Sequence, residues 1–285
     1  MVVVRDRLHI LIRQPALAEP YTSYGSGRGS PRPPSPIRDA HARNLTSEAE
    51  RAQQEAGERR DRTAQRLGVR PANEGMLLTF ESWPGFELAP AALDPQNQAP
   101  ELVAMRTRGV GDAAVQLATV YVPEGSLGFF LKRFAEYGTE DTPKGQPRHS
   151  DMVERIAALA LATIEALWTD DPNEFPPSDT TVWWEVWLRR SDGQEVDRLR
   201  EFALIGGIEV GGRILIFDNR TIVLVRATAN QLASALDVID DFAELRVAFN
   251  LLLLEPDGRN QVRRGEDFSR RSFRIPVLLS LDWSR

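Results

Sequence analysis

The chain has 285 residues, enough for one large or two small domains. Its net charge of −6 argues against broad nucleic-acid binding, which needs a basic face. The absence of Cys excludes thiolate catalysis, disulfides and cysteine-based zinc sites. No apolar run approaches the roughly 18 residues of a membrane span, and the N-terminus lacks the pattern of a signal peptide. We therefore expect a soluble, cytoplasmic protein without membrane or nucleic-acid partners.

Residues 1–72 predict an N-terminal arm followed by a polar helix. Residues 24–36 are rich in Gly, Ser, Pro and Arg, a composition typical of an extended, mobile arm. Residues 44–68 change to Glu, Arg, Ala and Gln, which favour a helix. Because this helix has few apolar anchors, we expect it to lie on a surface or to bridge two parts of the molecule.

Residues 73–172 predict a first, smaller α+β unit. Its strands are expected at 76–82, 102–108 and 115–122, and its helix at 126–137. A proline-rich loop at 89–100 replaces a first helix. Residues 151–168 carry apolar side chains at helical spacing, which predicts a connecting helix. The unit resembles part of the plan of the next one, although the sequence shows no residue-level repeat.

Residues 173–254 predict the order βαββαβ, the ferredoxin-like arrangement. Thr228 is expected to cap the second helix, because its hydroxyl can accept an orphan backbone N–H. Glycine pairs at 206–207 and 211–212 predict turns between the first helix and the following strand. The fold class is therefore α+β, with the ferredoxin-like unit on the C-terminal side. The strands are expected at 182–188, 213–217, 221–226 and 245–249, and the helices at 194–204 and 228–242.

Residues 255–285 predict a basic linker and an apolar tail. The linker holds a local excess of arginine, which is either a solvated segment or a segment that lies against an acidic partner surface. The tail is apolar and β-prone. Its candidate contact residues are Ile275, Pro276, Val277, Leu278, Leu279, Leu281, Trp283 and Arg285.

The sequence offers no catalytic constellation. Its three histidines are scattered, so they predict neither a triad nor a metal site, and we interpret them as packing or surface residues. The carboxylate pairs at 170–171 and 240–241 are interpreted as surface groups, because adjacent residues on a helix point apart. We expect no catalytic residue, metal or cofactor in this chain. The histidines are His9, His41 and His149.

Three tryptophans mark the first strand of the predicted βαββαβ unit. On a strand, Trp183 and Trp187 share one face, while Trp184 lies on the other. One face belongs to the core. The other packs on a neighbouring element or contacts a partner, since tryptophans are common anchors of interfaces. All three are therefore candidates for a partner surface, with a purely structural role as the alternative.

Two stretches carry a family resemblance that covers most of the chain. The first is EPYTS at 19–23, followed by the Gly/Arg/Pro arm and the acidic-basic helix. The second runs from WWEVWLRR at 183–190 to RTIVLVRATANQLASAL at 220–236. Both resemble the N-terminal region of a group of large bacterial subtilisin-like serine peptidases, whose prosegments are ferredoxin-like. The catalytic Asp-Thr-Gly, His-Gly and Gly-Thr-Ser motifs do not occur in this sequence, so no catalytic residue carries over.

The resemblance implies a prosegment that chaperones folding of a subtilisin-like catalytic domain, in cis or in trans, and blocks its active site. The sheet would pack against the protease, and the tail at 275–285 would run extended through the substrate cleft. If the chain ends by self-cleavage, Arg285 lies at the cleaved bond. Members of this group are often encoded beside an AAA-type ATPase, a context that implies a role in stress or phage defence.

Two further functions remain open. The chain could be an adaptor that docks on an AAA-type ATPase or another partner through the tryptophan strand and the basic segment. It could also be a small-molecule sensor, since paired ferredoxin-like units can bind ligands between them.

Overall fold

The computed structural model describes residue 33 and residues 36–71, 75–95 and 100–248. Within them the chain is α+β, as predicted, and contains two four-stranded antiparallel sheets. Almost all of the predicted arm, the arginine-rich segment and the candidate tail Ile275, Pro276, Val277, Leu278, Leu279, Leu281, Trp283 and Arg285 lie outside the described residues.

The first sheet has the strand order β2-β3-β1-β4. Its predicted strands are confirmed, and the loop after β1 contains one short helix. Single 3₁₀ turns follow β2 and β4 at Gly111–Ala113 and Ile164–Leu167. The elements are α1 (Arg38–Leu67), β1 (Met76–Ser82), α2 (Pro90–Leu93), β2 (Glu101–Arg108), β3 (Val115–Val122), α3 (Gly128–Thr139), α4 (Ser150–Val153) and β4 (Ile156–Leu161).

The second sheet has the order β6-β7-β5-β8, so its strands are arranged in the same relative order as those of the first. A 3₁₀ turn at Pro172–Glu174 precedes it. The elements are β5 (Val182–Arg189), α5 (Glu195–Gly206), β6 (Glu209–Ile216), β7 (Arg220–Ala227), α6 (Ala229–Leu236) and β8 (Phe242–Val247).

The core consists of two hydrophobic clusters, one for each sheet, and helix α1 contacts both of them. Ala42, Leu45 and Ala49 recur at helical spacing and are buried against the first sheet and α3. Near its C-terminal end, Thr63 Oγ1 donates to Asp237 Oδ2 at 2.7 Å, beyond the end of α6. The helix stops where Gly68 adopts the left-handed backbone of a C-cap. The sequence left open whether this polar helix lies on a surface or bridges two parts, and its contacts correspond to the second alternative.

The predicted connecting helix at 151–168 is wrong. Only Ser150–Val153 is α-helical, Ile156–Leu161 forms β4 on the edge of the first sheet, and Ile164–Leu167 is a 3₁₀ turn. Short apolar runs fit helix and strand periods equally well. Here the segment forms a strand because it can pair with the edge of β1, where Phe80 lies opposite Leu159.

The second unit follows its predicted order with shifted boundaries. Thr228 caps α6, and its side chain accepts from the Gln231 N–H in a reciprocal capping box, as expected. Helix α6 ends at Leu236 and not at 242. The turn at Gly207 is confirmed by its left-handed backbone. The second predicted turn is wrong, because Gly211 and its neighbour lie inside β6 at an irregularity of the β6–β7 register.

Candidate functional site

Helices α5 and α6 cover one face of the second sheet. Trp184, Val186 and Leu188 of β5 are fully buried beneath them, together with Leu199 of α5 and Leu232 of α6. Because successive strand residues point to opposite faces, the residues between them lie on the other side of the sheet.

That other side forms an open face. Trp183 and Trp187 are half-buried there, while Leu215 is 61%, Phe217 52% and Leu224 38% exposed. The strand register aligns Leu215, Ile222 and Trp187 in one row across β6, β7 and β5. Exposed apolar side chains that neighbour one another in this way make the face a candidate interaction site. We define the open face by Trp183, Glu185, Trp187, Leu215, Phe217, Leu224 and Arg226.

Trp187 is held in place on the open face. Its ring is parallel to that of Phe217, with 6.2 Å between the centroids, and the Arg246 guanidinium lies 4.9 Å from its centroid. Its Nε1 donates to Glu185 Oε1 at 2.7 Å. A partner would therefore meet an aromatic anchor that is already ordered, which reduces the entropy cost of binding.

Ion pairs border this apolar centre. Arg226 Nη1 lies 3.5 Å from Glu209 Oε2, and Arg246 Nη2 lies 2.9 Å from Glu244 Oε2. An apolar centre with a charged rim is the usual anatomy of a protein–protein interface. The open face therefore has the chemistry of a docking surface.

Of the five apolar residues of the open face, the sequence identified two and missed three. The predicted alternation of Trp183 and Trp187 against Trp184 is confirmed. For Trp184 the prediction of a partner surface is wrong, because its ring is buried edge-on to Trp168 and its Nε1 donates to the Ala227 carbonyl at 2.9 Å. The missed residues are Leu215, Phe217 and Leu224, which the sequence shows only as members of short apolar strands.

A polar network joins the two sheets. Tyr121 of β3 donates through its hydroxyl to Asp240 Oδ2 at 2.6 Å. Arg189 of β5 packs its guanidinium 3.4 Å from the Tyr121 ring centroid and donates to Glu101 Oε2 of β2 at 2.8 Å. Burial, reinforced by the hydrogen bond to Asp240, raises the pKa of Tyr121 well above its ordinary value. The hydroxyl therefore stays protonated and remains a donor.

Asp240 and Asp241 are both buried, so their interpretation as surface groups is wrong. They follow α6 in a loop and face different partners. Arg198 of α5 donates to both carboxylate oxygens of Asp241, at 2.6 and 2.7 Å. Burial raises the pKa of Asp241, while Arg198 opposes this shift. The same arginine, with the Gln194 N–H, lowers the pKa of Asp192 to about 2. These contacts hold α5 against the loop before β8. They give Asp241 a structural role.

The two described histidines have local partners. His41 is buried on α1, with Nε2 3.1 Å from the Val153 carbonyl oxygen. His149 Nε2 lies 2.6 Å from Glu136 Oε2. Within the described ranges, no group of three or more His, Asp or Glu side chains could hold a metal. Both histidines are consistent with packing or surface roles, and His9 lies outside these ranges.

A wide cleft of about 1410 Å³ lies near the network. Its lining includes Arg60 of α1, Tyr121, Arg198 and Phe202. Arg60 donates to the Gly75 carbonyl at 2.8 Å, and Arg198 is engaged with aspartates. The ligand-sensing alternative would need this cleft, but these two cations already have partners.

No family model matches the chain, and no curated protein matches it significantly. In the part of the chain that the structure describes, none of the helices combines the length and apolar character that crossing a bilayer requires. The function is therefore argued from the open face and the sequence.

Proposed function

We propose that this chain is a non-catalytic, prosegment-type region of a subtilisin-like serine peptidase, which docks its second sheet on the catalytic domain. The open face carries this proposal. The βαββαβ order and the strand order β6-β7-β5-β8 support a ferredoxin-like unit, the arrangement that the resemblance implies for such prosegments. Fold alone does not determine function, so the argument rests on the surface that the fold presents.

The open face supplies both affinity and orientation. Full burial of a Leu or Phe side chain contributes about 1.5–3 kcal/mol, and Leu215, Phe217 and Leu224 are all exposed in the free chain. Trp187 adds an ordered aromatic anchor near the centre. The rim pairs around Arg226 and Arg246 would favour one orientation of the partner more than they add affinity.

Inhibition requires a second element besides docking. In this proposal the segment at 275–285 follows the docked sheet and lies extended in the substrate cleft. The sheet holds this segment at high effective concentration beside the cleft, so a weakly binding peptide becomes an effective inhibitor. The chain would act in the same compartment as the newly made protease, which we take to be the cytoplasm.

The test is inhibition of a subtilisin-like catalytic domain of this group by the purified chain added in trans. We expect slow-dissociating inhibition of peptide hydrolysis, and a Leu224→Arg substitution on the open face should weaken it at least tenfold. Val110→Arg is the matched control, because Val110 is 86% exposed in the β2–β3 connection and is not part of the second sheet. A wild-type chain that neither binds nor inhibits would exclude the proposal.

The adaptor alternative uses the same open face but does not need the tail. One observation favours it: all residues that define the open face belong to the second sheet or directly follow one of its strands, so docking needs no other segment. In the same experiment, an adaptor would bind an AAA-type ATPase, lose that binding in Leu224→Arg, and leave peptide hydrolysis unaffected.

A further inference from the structure

Two of the four sheet edges are blocked by the chain itself. At β4, the Leu159 N–H donates to Glu48 Oε2 of α1 at 2.9 Å, which satisfies an edge group. At β8, Trp168 forms a parallel bridge with Leu245, and the Thr169 N–H donates to the Leu245 carbonyl at 3.2 Å. Neither edge can accept another strand without losing these contacts.

The edge at β2 is protected by charge and irregularity. Arg106 donates to the Glu165 carbonyl at 2.5 Å, and Arg108 lies 3.3 Å from Glu81. The register to β3 shifts between Leu102 and Ala104. Charged side chains and bulges are the usual devices that prevent pairing of an exposed edge.

Among the residues that the structure describes, nothing gives the fourth edge, β6, either kind of protection at its C-terminal end. Residues 214–217 read Ile-Leu-Ile-Phe without a charge. Ile214 packs on the core, whereas Leu215 and Phe217 belong to the open face and Ile216, on the opposite side, is 64% exposed. An apolar edge strand of this kind readily pairs with another chain.

The hairpin fixes which main-chain groups face outward. The Phe217 N–H donates to the Arg220 carbonyl at 2.8 Å, so these two residues form a hydrogen-bonded pair. Hydrogen-bonded and non-bonded pairs alternate along an antiparallel ladder. Leu215, opposite Ile222, therefore bonds to β7. The N–H and C=O groups of Ile214 and Ile216 point to the open edge.

We propose that a second copy of this chain pairs with β6 in antiparallel orientation about a two-fold axis at Leu215. Ile214 then lies opposite the partner's Ile216, and Ile216 opposite the partner's Ile214. These two reciprocal pairs use the outward groups in about four hydrogen bonds. The match is self-complementary, as a two-fold interface requires, because the outward residues lie symmetrically on either side of Leu215.

The pairing joins the second sheets of the two copies into one continuous eight-stranded sheet. This dimer goes beyond the proposed function. An axis perpendicular to the sheet keeps both open faces on the same side. Each copy can then dock its own partner, and the two partners would sit side by side. The dimer needs no protease, so its existence is tested independently of inhibition.

The chain has no Cys, which permits a direct test. Leu215→Cys places two thiols across the axis in a non-hydrogen-bonded pair, where the Cα atoms are about 4.5 Å apart, within the range for a disulfide. We expect rapid disulfide-linked dimer formation under mild oxidation of the full chain. Val110→Cys carries an exposed thiol away from β6 and should remain largely monomeric.

Sedimentation velocity provides the second arm. One chain has a mass of 31.9 kDa, and the wild-type protein should sediment with twice this mass. Ile216→Pro removes an outward N–H that β7 does not use, so this edge position tolerates proline. The variant should be monomeric with an unchanged circular dichroism spectrum. A monomeric wild type, a dimer that survives Ile216→Pro, or equal cross-linking of the two cysteine variants would each overturn the proposal.

Discussion

Trp184 and Trp187 lie on opposite faces of β5 and contribute in different ways. Trp184 is buried against Trp168 and Phe175 and belongs to the hydrophobic cluster of the second sheet. Trp187 is half-buried on the open face, with its ring parallel to that of Phe217. The alternation of a strand separates these environments, and it was predictable from the sequence alone. The identity of the exposed face was not predictable, because it depends on the side that the two helices cover.

The buried hydroxyl of Tyr121 predicts a loss of stability at alkaline pH. In the unfolded chain Tyr121 ionises near pH 10, whereas burial and Asp240 keep it protonated in the folded chain. Above pH 10 the folded state therefore binds more protons, and the free energy of unfolding falls as pH rises. Urea denaturation of Tyr121→Phe between pH 8 and 11 should show a weaker pH dependence than that of the wild type.

The Tyr121→Phe substitution should also lower the free energy of unfolding at neutral pH. Tyr121→Phe leaves Asp240 without one donor and should lower the free energy of unfolding by about 1–3 kcal/mol. Some alkaline dependence should persist, because burial also raises the pKa of Tyr137 to about 12. Equal pH dependence in the variant and the wild type would contradict this account of the network.

At the scale of elements, the sequence was informative where local signals agree. Helix α6 begins at its predicted cap, and the strand containing the tryptophans was located within one residue of its bounds. The error at 151–168 arose because Ile156 and Leu159 are three residues apart, which fits a helical period. Both are nevertheless buried in β4, where the pairing to β1 is irregular between Glu81 and Ser82. The choice depended on β1, which lies far away in sequence. The open edge of β6 likewise depends on sheet order, a nonlocal property.

The cap of α6 gives a prediction at this scale. Thr228→Ala removes the acceptor of the Gln231 N–H at 3.1 Å. We expect the free energy of unfolding to fall by about 1 kcal/mol, measured by chemical denaturation. Thr228→Ser retains the hydroxyl and should stay within a few tenths of a kcal/mol of the wild type. If the two variants are equally destabilised, the capping interaction does not account for the loss.

At the scale of the whole molecule, α1 and the polar network couple the two sheets. Thr63 and Arg66 of α1 reach Asp237 and Ser234 at the end of α6, while Arg189 connects β5 to Glu101 of the first sheet. The sequence showed the polar character of α1 but not the partners of its polar residues. Asp240 was misinterpreted for the same reason, since Tyr121 is distant in sequence.

Arg189 tests this coupling. Arg189→Ala removes the contact to Glu101, the packing over Tyr121 and a donor at 3.3 Å to the Asp240 carbonyl. Because Glu101 is partly exposed and keeps Arg220 as a partner, we expect a loss of about 2 kcal/mol, below the 3–5 kcal/mol typical of a fully buried broken pair. Arg190→Ala, at the exposed next position, should change the free energy of unfolding by no more than about 0.5 kcal/mol.

The claim that this chain serves a subtilisin-like catalytic domain is tested most directly by assisted refolding. A denatured catalytic domain of this group is diluted into buffer with the full chain, with its Leu224→Arg variant, or without addition, and native enzyme is quantified after the chain is removed. The account predicts a several-fold higher yield with the wild-type chain and little gain with Leu224→Arg. A yield that the wild-type chain leaves unchanged would contradict it.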